Sequence, residues 1–297
     1  MERKGFTLVE LLVVIAIIAL LMGILMPALS KVRQIAYRMV CGTNLSGIGK
    51  AMTLYANDFF DELPRSGGRS SQWRNEITDF AAPTRIAAYG LADDESGGFG
   101  SITSSMYLLI KYTEVSPKSF ICKSDSSVRE FSLDDTALPR DTELKSLWDF
   151  GPEPREHVSY GYHFPFNNAY SLTTSSDPGM AVAADRNPWI EDSTDIKKDF
   201  SLFVDPTSQT GAMLGNSPSH QDESQNVLYV DVHVSQEKTS LCGVNKDNIY
   251  TKADGTSIGI MPVGGDASLA PTNNYDSLLV NDGSGSVRNT GRDSGRN

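Results

Sequence analysis

Between Leu11 and Leu29 the chain runs nineteen residues without a formal charge, and Glu10 stands directly in front of that run. A helix needs roughly 20 mostly apolar residues to cross the hydrocarbon core of a bilayer, so this stretch limits the first part of the chain to a spanning helix or a secretory signal. Leu, Ile, Val, Ala and Met fill it, and Gly23 and Pro27 are its only helix breakers. Membrane helices tolerate both where neighbouring helices satisfy the freed backbone groups. A cleaved signal has an apolar core of about 7–15 residues ended by small residues; this run is longer, and a carboxylate at its start is out of place there. Glu10 also sets the run apart from a plain anchor. A carboxylate at the centre of a membrane helix costs about 2.5–3.5 kcal/mol, less near the interface. An acid in this position calls for a partner of opposite charge. Arg3 and Lys4 precede the run while Lys31, Arg33 and Arg38 follow it closely, so the positive-inside rule leaves the orientation open.

The residues leading into the run are Met1-Glu2-Arg3-Lys4 and then Gly5-Phe6-Thr7-Leu8-Val9-Glu10. This stretch resembles the prepilin leader and N-terminal helix of type IV pilins and type II secretion pseudopilins, matching their G-F-T-L-x-E pattern at Gly5, Phe6, Thr7, Leu8 and Glu10. The resemblance implies cleavage after Gly5 by a prepilin peptidase, N-methylation of Phe6, and pairing of Glu10 with the N-terminal amine of a neighbouring subunit. It implies a single pass through the cytoplasmic (inner) membrane, with the leader cytoplasmic and the head in the periplasm or at the cell surface. Its implied partners are the peptidase, copies of the same chain and other pilin-like subunits.

Beyond the run, Val32, Ile35, Met39, Leu45, Ile48, Met52, Tyr55 and Phe59 fall mostly three or four apart. That is an apolar stripe at helical period, and it predicts a helix continuing to Asn57-Asp58, closed by Pro64. Gly42, Gly47 and Gly49 each weaken such a helix by up to about 1 kcal/mol relative to Ala, so packing must support it. The expected organisation is a leader at 1–5, a transmembrane helix at 6–29, its amphipathic continuation at 30–58, one exported head at 59–282 and a Gly/Ser-rich disordered tail at 283–297. In the head, residues 64–100 read as loop with short pieces. Met106–Tyr112 reads as a short buried helix or strand, and Phe120-Ile121-Cys122 as a strand start. Val158–Tyr162, Met180–Asp185 and, most clearly, Asn226–Val234 read as strands. The fold class expected is α+β, a long N-terminal helix packed on an antiparallel sheet in a pilin-like layout. Residues 1–38 carry five basic and two acidic side chains, a balance of +3, so the remainder of this chain of net charge −11 carries −14. That argues against a nucleic-acid or anionic-lipid binder, which would call for a basic patch, and is compatible with divalent cations.

Further resemblance lies in the head. Cys41 through Asp58 is similar to the C-x-x-N-L-x-x-I-G-x-A-x-x-x-Y-A-x-D segment of a large bacterial group of pseudopilin-like proteins. Phe120 to Asp125 is similar to its F-x-C-P-x-D, with Lys123 in place of proline. His220 to Val234 is similar to its H-x9-D-G box, with ten residues between His220 and Asp231 and Val232 in place of the glycine. Asp247–Thr251 is similar to a frequent tail of the group. The three cysteines of an exported head permit at most one intramolecular disulfide, and the sequence leaves the pairing open; the resembling patches imply Cys41 with Cys122, and Cys242 free.

Motifs for chemistry are sparse. There is no C-x-x-C, G-x-S-x-G or H-E-x-x-H, and no strand leads into the Gly-rich stretch at 97–100 as a phosphate loop requires. If 226–234 is one strand, Leu228, Val230, Val232 and Val234 face the core and Val227, Tyr229, Asp231 and His233 share the opposite face. His220, Asp231 and His233 then form a possible set for a divalent metal, set against a solvated face of hydrogen-bonded polar side chains, with Asp231 accepting hydrogen bonds from a nearby turn. Asp222 and Glu223 could join a calcium loop, although their spacing matches no known one. The expectation is a non-enzymatic protein without a cofactor, a divalent metal such as calcium aside. Two function classes remain: a structural subunit of a pilus-like filament or secretion pseudopilus, and a membrane-tethered binding protein or enzyme that uses a pilin-type anchor for display.

Overall fold

The computed structural model describes residues 8–167, 169–190, 197–263 and 269–283. Gly5, Phe6 and the rest of the leader lie outside the described residues, as does the expected tail from 284 onward. Gly283, expected to open that tail, belongs to the head instead: it is buried and donates its N–H to Asn75 Oδ1 at 3.1 Å.

Helix α1, Leu8–Asp58, is one unbroken element of 51 residues, about 77 Å long at 1.5 Å per residue. Pro27 lies inside it and leaves the carbonyl of Gly23, four residues back, without its usual donor. The helix stops where Phe60 and Asp61 turn to positive φ, 56° and 61°, and the Asp61 N–H caps back on Ala56 O at 2.9 Å. Residues 8–33 are all exposed, whereas Cys41, Leu45, Ile48, Gly49, Met52, Tyr55 and Ala56 are buried. The apolar stripe is therefore split. Val32, Ile35 and Met39, expected on the packed face, are more than half exposed, at 62%, 53% and 69%, because the head covers the helix only from about Arg38 onward.

The head is built on a five-stranded antiparallel sheet in the order β6-β5-β4-β3-β7: β3 is Tyr160–His163, β4 Ala181–Asp185, β5 Gln225–Tyr229, β6 Val234–Glu237 and β7 Leu279–Val280. Two further two-residue strands, β1 Gln72–Trp73 and β2 Phe99–Gly100, pair in parallel to one side. Both faces of the large sheet are covered. On one, Leu45, Ile48 and Met52 of α1 and Met106 and Leu109 of α3 (Ile102–Thr113) pack with Tyr160, Val182 and Leu228. On the other, Val227, Tyr229, Ala181 and Ala184 pack with Trp189, Phe203, Tyr250 and Leu279. Successive strand residues point to opposite faces, so Val227 and Leu228 enter different clusters. A register shift between Ala181 and Ala183 lets Val182 and Ala183 share one.

Two sequence expectations need correction here, the strand at 226–234 and the strand start at Phe120; the third segment, Met106–Tyr112, takes the helical one of its two expected forms. Residues 226–234 are not one strand but a hairpin: β5 ends at Tyr229, Val232 adopts φ 69°, and β6 begins at Val234. Tyr229 N–H bonds to His233 O at 3.0 Å and Val232 N–H to Tyr229 O at 2.9 Å, which closes the turn. Leu228 does face α1, but Val227 and Tyr229 are buried too, and Val232 sits half-buried in the turn. Phe120-Ile121-Cys122 does not start a strand, because Pro117–Phe120 coils into a 3-10 turn with proline at its first position. Met106–Tyr112 lies within helix α3. Gly49 has its reason as well: a Cβ there would stand 2.7 Å from Leu228 Cδ1 and 3.0 Å from Val232 Cγ1, so only glycine lets α1 lie this close to the sheet.

The N-terminus of α3 is held by two buried carboxylates. Asp282 accepts from Trp73 Nε1 at 2.8 Å and from the backbone N–H groups of Ile102 and Thr103 at 3.1 and 2.8 Å. Asp149 accepts from the Ser101 and Thr103 hydroxyls at 2.9 and 3.2 Å. Burial, reinforced by the neighbouring Asp282, pushes the Asp149 carboxyl up to about 8, and burial pushes Asp282 up to about 6.

Candidate functional site

Three of the patches singled out in the sequence meet at one place, the junction of α1 with the head. Cys41 lies on the buried face of α1, Cys122 follows the Pro117–Phe120 turn, and the two are joined in a disulfide with Cα atoms 5.2 Å apart. Asn44, one turn further along α1, donates to Ile121 O at 3.0 Å. His220 closes a second proline-led 3-10 turn, Pro218–His220. Its Nε2 lies 3.7 Å from Cys122 Sγ and 3.2 Å from Asp185 Oδ2. Asp185 ends β4, and its Oδ2 accepts from the Asn226 backbone N–H at 2.7 Å. Arg38 donates to His220 O at 3.1 Å and pairs with Glu223, which holds the Glu223 carboxyl below the usual carboxylate range. Cys41, Cys122, Asp185 and His220 are at most 2% exposed. One ligating atom from each lies within 4.8 Å of the others.

The set His220, Asp231 and His233 is not brought together. His220 is buried at the junction. Asp231 and His233 sit exposed in the β5–β6 turn, where the Asp231 carboxylate accepts from the His233 N–H at 3.1 Å and pairs with its ring. In that turn the His233 ring stacks on the Tyr229 ring at 4.4 Å, so the pair stays beside Tyr229 while His220 lies at the junction. Of the two acids named for a calcium loop, Glu223 is paired with Arg38, and Asp222 lies 2.7 Å from Lys198. Cys242 is free and half-buried, and burial, with Glu237 nearby, pushes its thiol up to about 12, far from a reactive thiolate. Sequence reading missed Asp185 and Asn226. The one available signal was an acid closing the apolar run Ala181-Val182-Ala183-Ala184, since a charge entering a buried strand must meet a partner.

Glu10 lies in the first turn of α1, on its exposed surface. At the opposite end of α1, a cleft of about 910 Å³ opens between the helix terminus and the lobe around α2, Arg85–Tyr89. Its lining includes Tyr55, Phe59, Tyr112, Tyr89, Arg69 and Arg85. Tyr55 and Phe59 stack at 4.0 Å, and Phe59 meets Tyr112 edge-on at 5.0 Å. The buried Tyr89 hydroxyl has no hydrogen-bond partner among the described residues, and Phe60 at the rim is 96% exposed.

Residues 1–26 match the family model of the Prokaryotic N-terminal methylation motif. No curated protein and no solved structure matches the chain. The match supports a pilin-like or pseudopilin precursor of the kind a prepilin peptidase processes. Together with the apolar length of α1 it supports a membrane-anchored, single-pass chain.

Proposed function

We propose that this chain is a structural subunit of a filament of the type IV pilus or type II secretion pseudopilus kind. In this reading it is cut between Gly5 and Phe6, methylated at Phe6, held in the cytoplasmic (inner) membrane by α1 until assembly, and carries its head in the periplasm or at the cell surface. The observation that carries the reading is the first half of α1. Directly behind the methylation motif stand 26 exposed helical residues, 8–33, with a carboxylate in their first turn. A lone anchor needs the apolar surface but not the acid. A subunit packed among copies of itself uses both, the surface for helix contacts and Glu10 for the new N-terminal amine of a neighbour. The disulfide at the junction suits a head outside the reducing cytoplasm. The role needs no catalysis and no cofactor.

Mass spectrometry of the membrane-resident protein tests the reading. A mature terminus at methylated Phe6 is expected; an intact Met1, or a terminus near Ala28, would overturn it. A second reading, a binding protein displayed on a pilin-type anchor, is favoured by the cleft at the far end of α1, whose aromatic lining is accompanied by both arginines and carboxylates. Subunit crosslinking separates the two. Glu10→Ala should leave membrane insertion intact and abolish crosslinking between copies in the filament reading, and change neither in the display reading.

A further inference from the structure

We propose that when the Cys41–Cys122 bridge is reduced, Cys41, Cys122, Asp185 and His220 close around one zinc-like divalent cation. The four residues arrive from four separate elements: α1, the segment after the Pro117–Phe120 turn, the end of β4 and the Pro218–His220 turn. No local sequence motif brings them together, yet their ligating atoms lie within 4.8 Å of one another and all four side chains are buried. Two thiolates, one imidazole nitrogen and one carboxylate oxygen are the donor set of a closed tetrahedral site. They select a borderline-soft ion such as zinc over calcium or magnesium, which take oxygen ligands.

A second observation points the same way. Asp185 is fully buried, and its Oδ1 has no hydrogen-bond partner among the described residues, while Oδ2 is fixed by Asn226 N–H at 2.7 Å. An orphaned carboxylate oxygen in a dry interior is costly. Coordination satisfies it, and the Asn226 contact holds the carboxylate in place as outer-shell partners of metal ligands do. His220 is held in the same way from its backbone, through Arg38 and the His220 carbonyl at 3.1 Å.

Bridge and ion exclude each other. An external dithiol delivers two electrons and two protons to the bridge, the S–S bond breaks into two thiols, and the donor leaves as its own disulfide. Zinc binding then releases the two thiol protons to solvent, and the ion rests on two thiolates, the His220 nitrogen and an Asp185 oxygen. An external disulfide runs the sequence backwards: it accepts two electrons, the bridge re-forms and the ion leaves. The proposal concerns donors at the junction of α1 with the head and does not rest on the filament reading.

The test uses the full chain in detergent, reduced with a phosphine in the presence of zinc chloride, freed of excess ion and assayed for metal by elemental analysis. About one zinc per chain is expected in the reduced protein and none in the oxidised protein handled identically. Cys242→Ser should retain the full stoichiometry. His220→Ala should lower the affinity at least ~10-fold and Cys122→Ser at least ~100-fold, since removing a ligand exceeds the 10–100-fold effect of an outer-shell change. Cobalt(II) in place of zinc should give the visible bands of a tetrahedral thiolate site, absent in Cys122→Ser. Because either variant could lose its fold, circular dichroism accompanies each. A folded reduced protein that takes up no zinc would overturn the proposal. So would zinc that survives in His220→Ala and Cys122→Ser, zinc that disappears in Cys242→Ser, or a reduced chain that unfolds and does not refold on zinc addition.

Discussion

The two halves of α1 belong to one uninterrupted helix and obey opposite rules. Over residues 8–33 every position is exposed, and apolar side chains point in all directions. From Cys41 the buried positions recur three or four apart and face the sheet and α3, while Thr43, Gly47 and Lys50 look outward. A helix apolar all round is built for lipid or for other helices, and one apolar on a single stripe is built for a head. Glycine reads differently in the two surroundings. Gly23 and Gly47 have nothing within 4 Å of an added Cβ, whereas Gly49 has Leu228 and Val232 against it. A residue that looks like a helix-weakening flaw is, at 49 alone, the condition for close approach.

Truncating one buried and one exposed aliphatic separates the two halves most strongly. Ile48→Ala should lower head stability by about 2–5 kcal/mol, the usual loss for a buried aliphatic. Ile15→Ala, in the exposed half, should leave the head melting temperature unchanged in detergent. Equal effects would mean that the first half also packs on the head.

The glycines sharpen the contrast at lower cost. Gly49→Ala should destabilise the head by about 1–3 kcal/mol through overpacking against Leu228. Gly47→Ala, facing open space, should gain up to about 1 kcal/mol from helix propensity. Urea unfolding followed by tryptophan fluorescence reads both, and a gain at 49 would mean that the helix stands further from Leu228 than the 2.7 Å approach of an added Cβ implies.

The pH response should also fall on one side only. Asp149 and Asp282 are carboxyls whose folded values are raised, to about 8 and about 6. The stability they contribute is fully present below the ordinary carboxylate range and is lost as pH rises through about 6 and then about 8. The head should therefore melt lower at pH 9 than at pH 5, and Asp149→Asn should narrow that difference by removing the carboxyl with the larger shift. Helicity of residues 8–30, whose only ionisable side chain is Glu10, should stay flat. The smallest change is expected at the edge of the packed half. Val232→Gly relieves a β-branched residue at φ 69°, worth about 1–2 kcal/mol, but loses the side chain that rests near Gly49, for a net gain of less than about 1 kcal/mol by thermal melt.

Much of this architecture is legible in the sequence. The uncharged run with Glu10 at its head, the helix to Asp58, the strands around Tyr160–His163 and Ala181–Asp185 and the α+β class all follow from composition and period. What escaped did so for physical reasons. Val230-Asp231-Val232-His233-Val234 alternates like a strand, and nothing in a valine side chain announces the left-handed turn it makes at 232. The stripe through Val32, Ile35 and Met39 has the right period for packing, but period cannot say where the head begins to cover the helix. The junction cluster was half visible. Cys41, Cys122 and His220 stood out one by one, whereas their meeting with Asp185 depends on strand order and on two proline-led turns, information that spacing along the chain does not hold.

The bridge at Cys41 also decides how the molecule carries load. It joins points 81 residues apart in sequence, and it meets α1 seventeen residues before the helix gives way to the head at Asp58. A pull on the N-terminal end of α1 enters the head first through a covalent S–S bond, beside the Asn44–Ile121 and Arg38–His220 contacts. The last turns of the helix and the cleft beyond them lie downstream of that attachment. Tension would therefore shear the head as a unit rather than peel α1 from the sheet one turn at a time, and the far end would stay slack while the anchor is under strain.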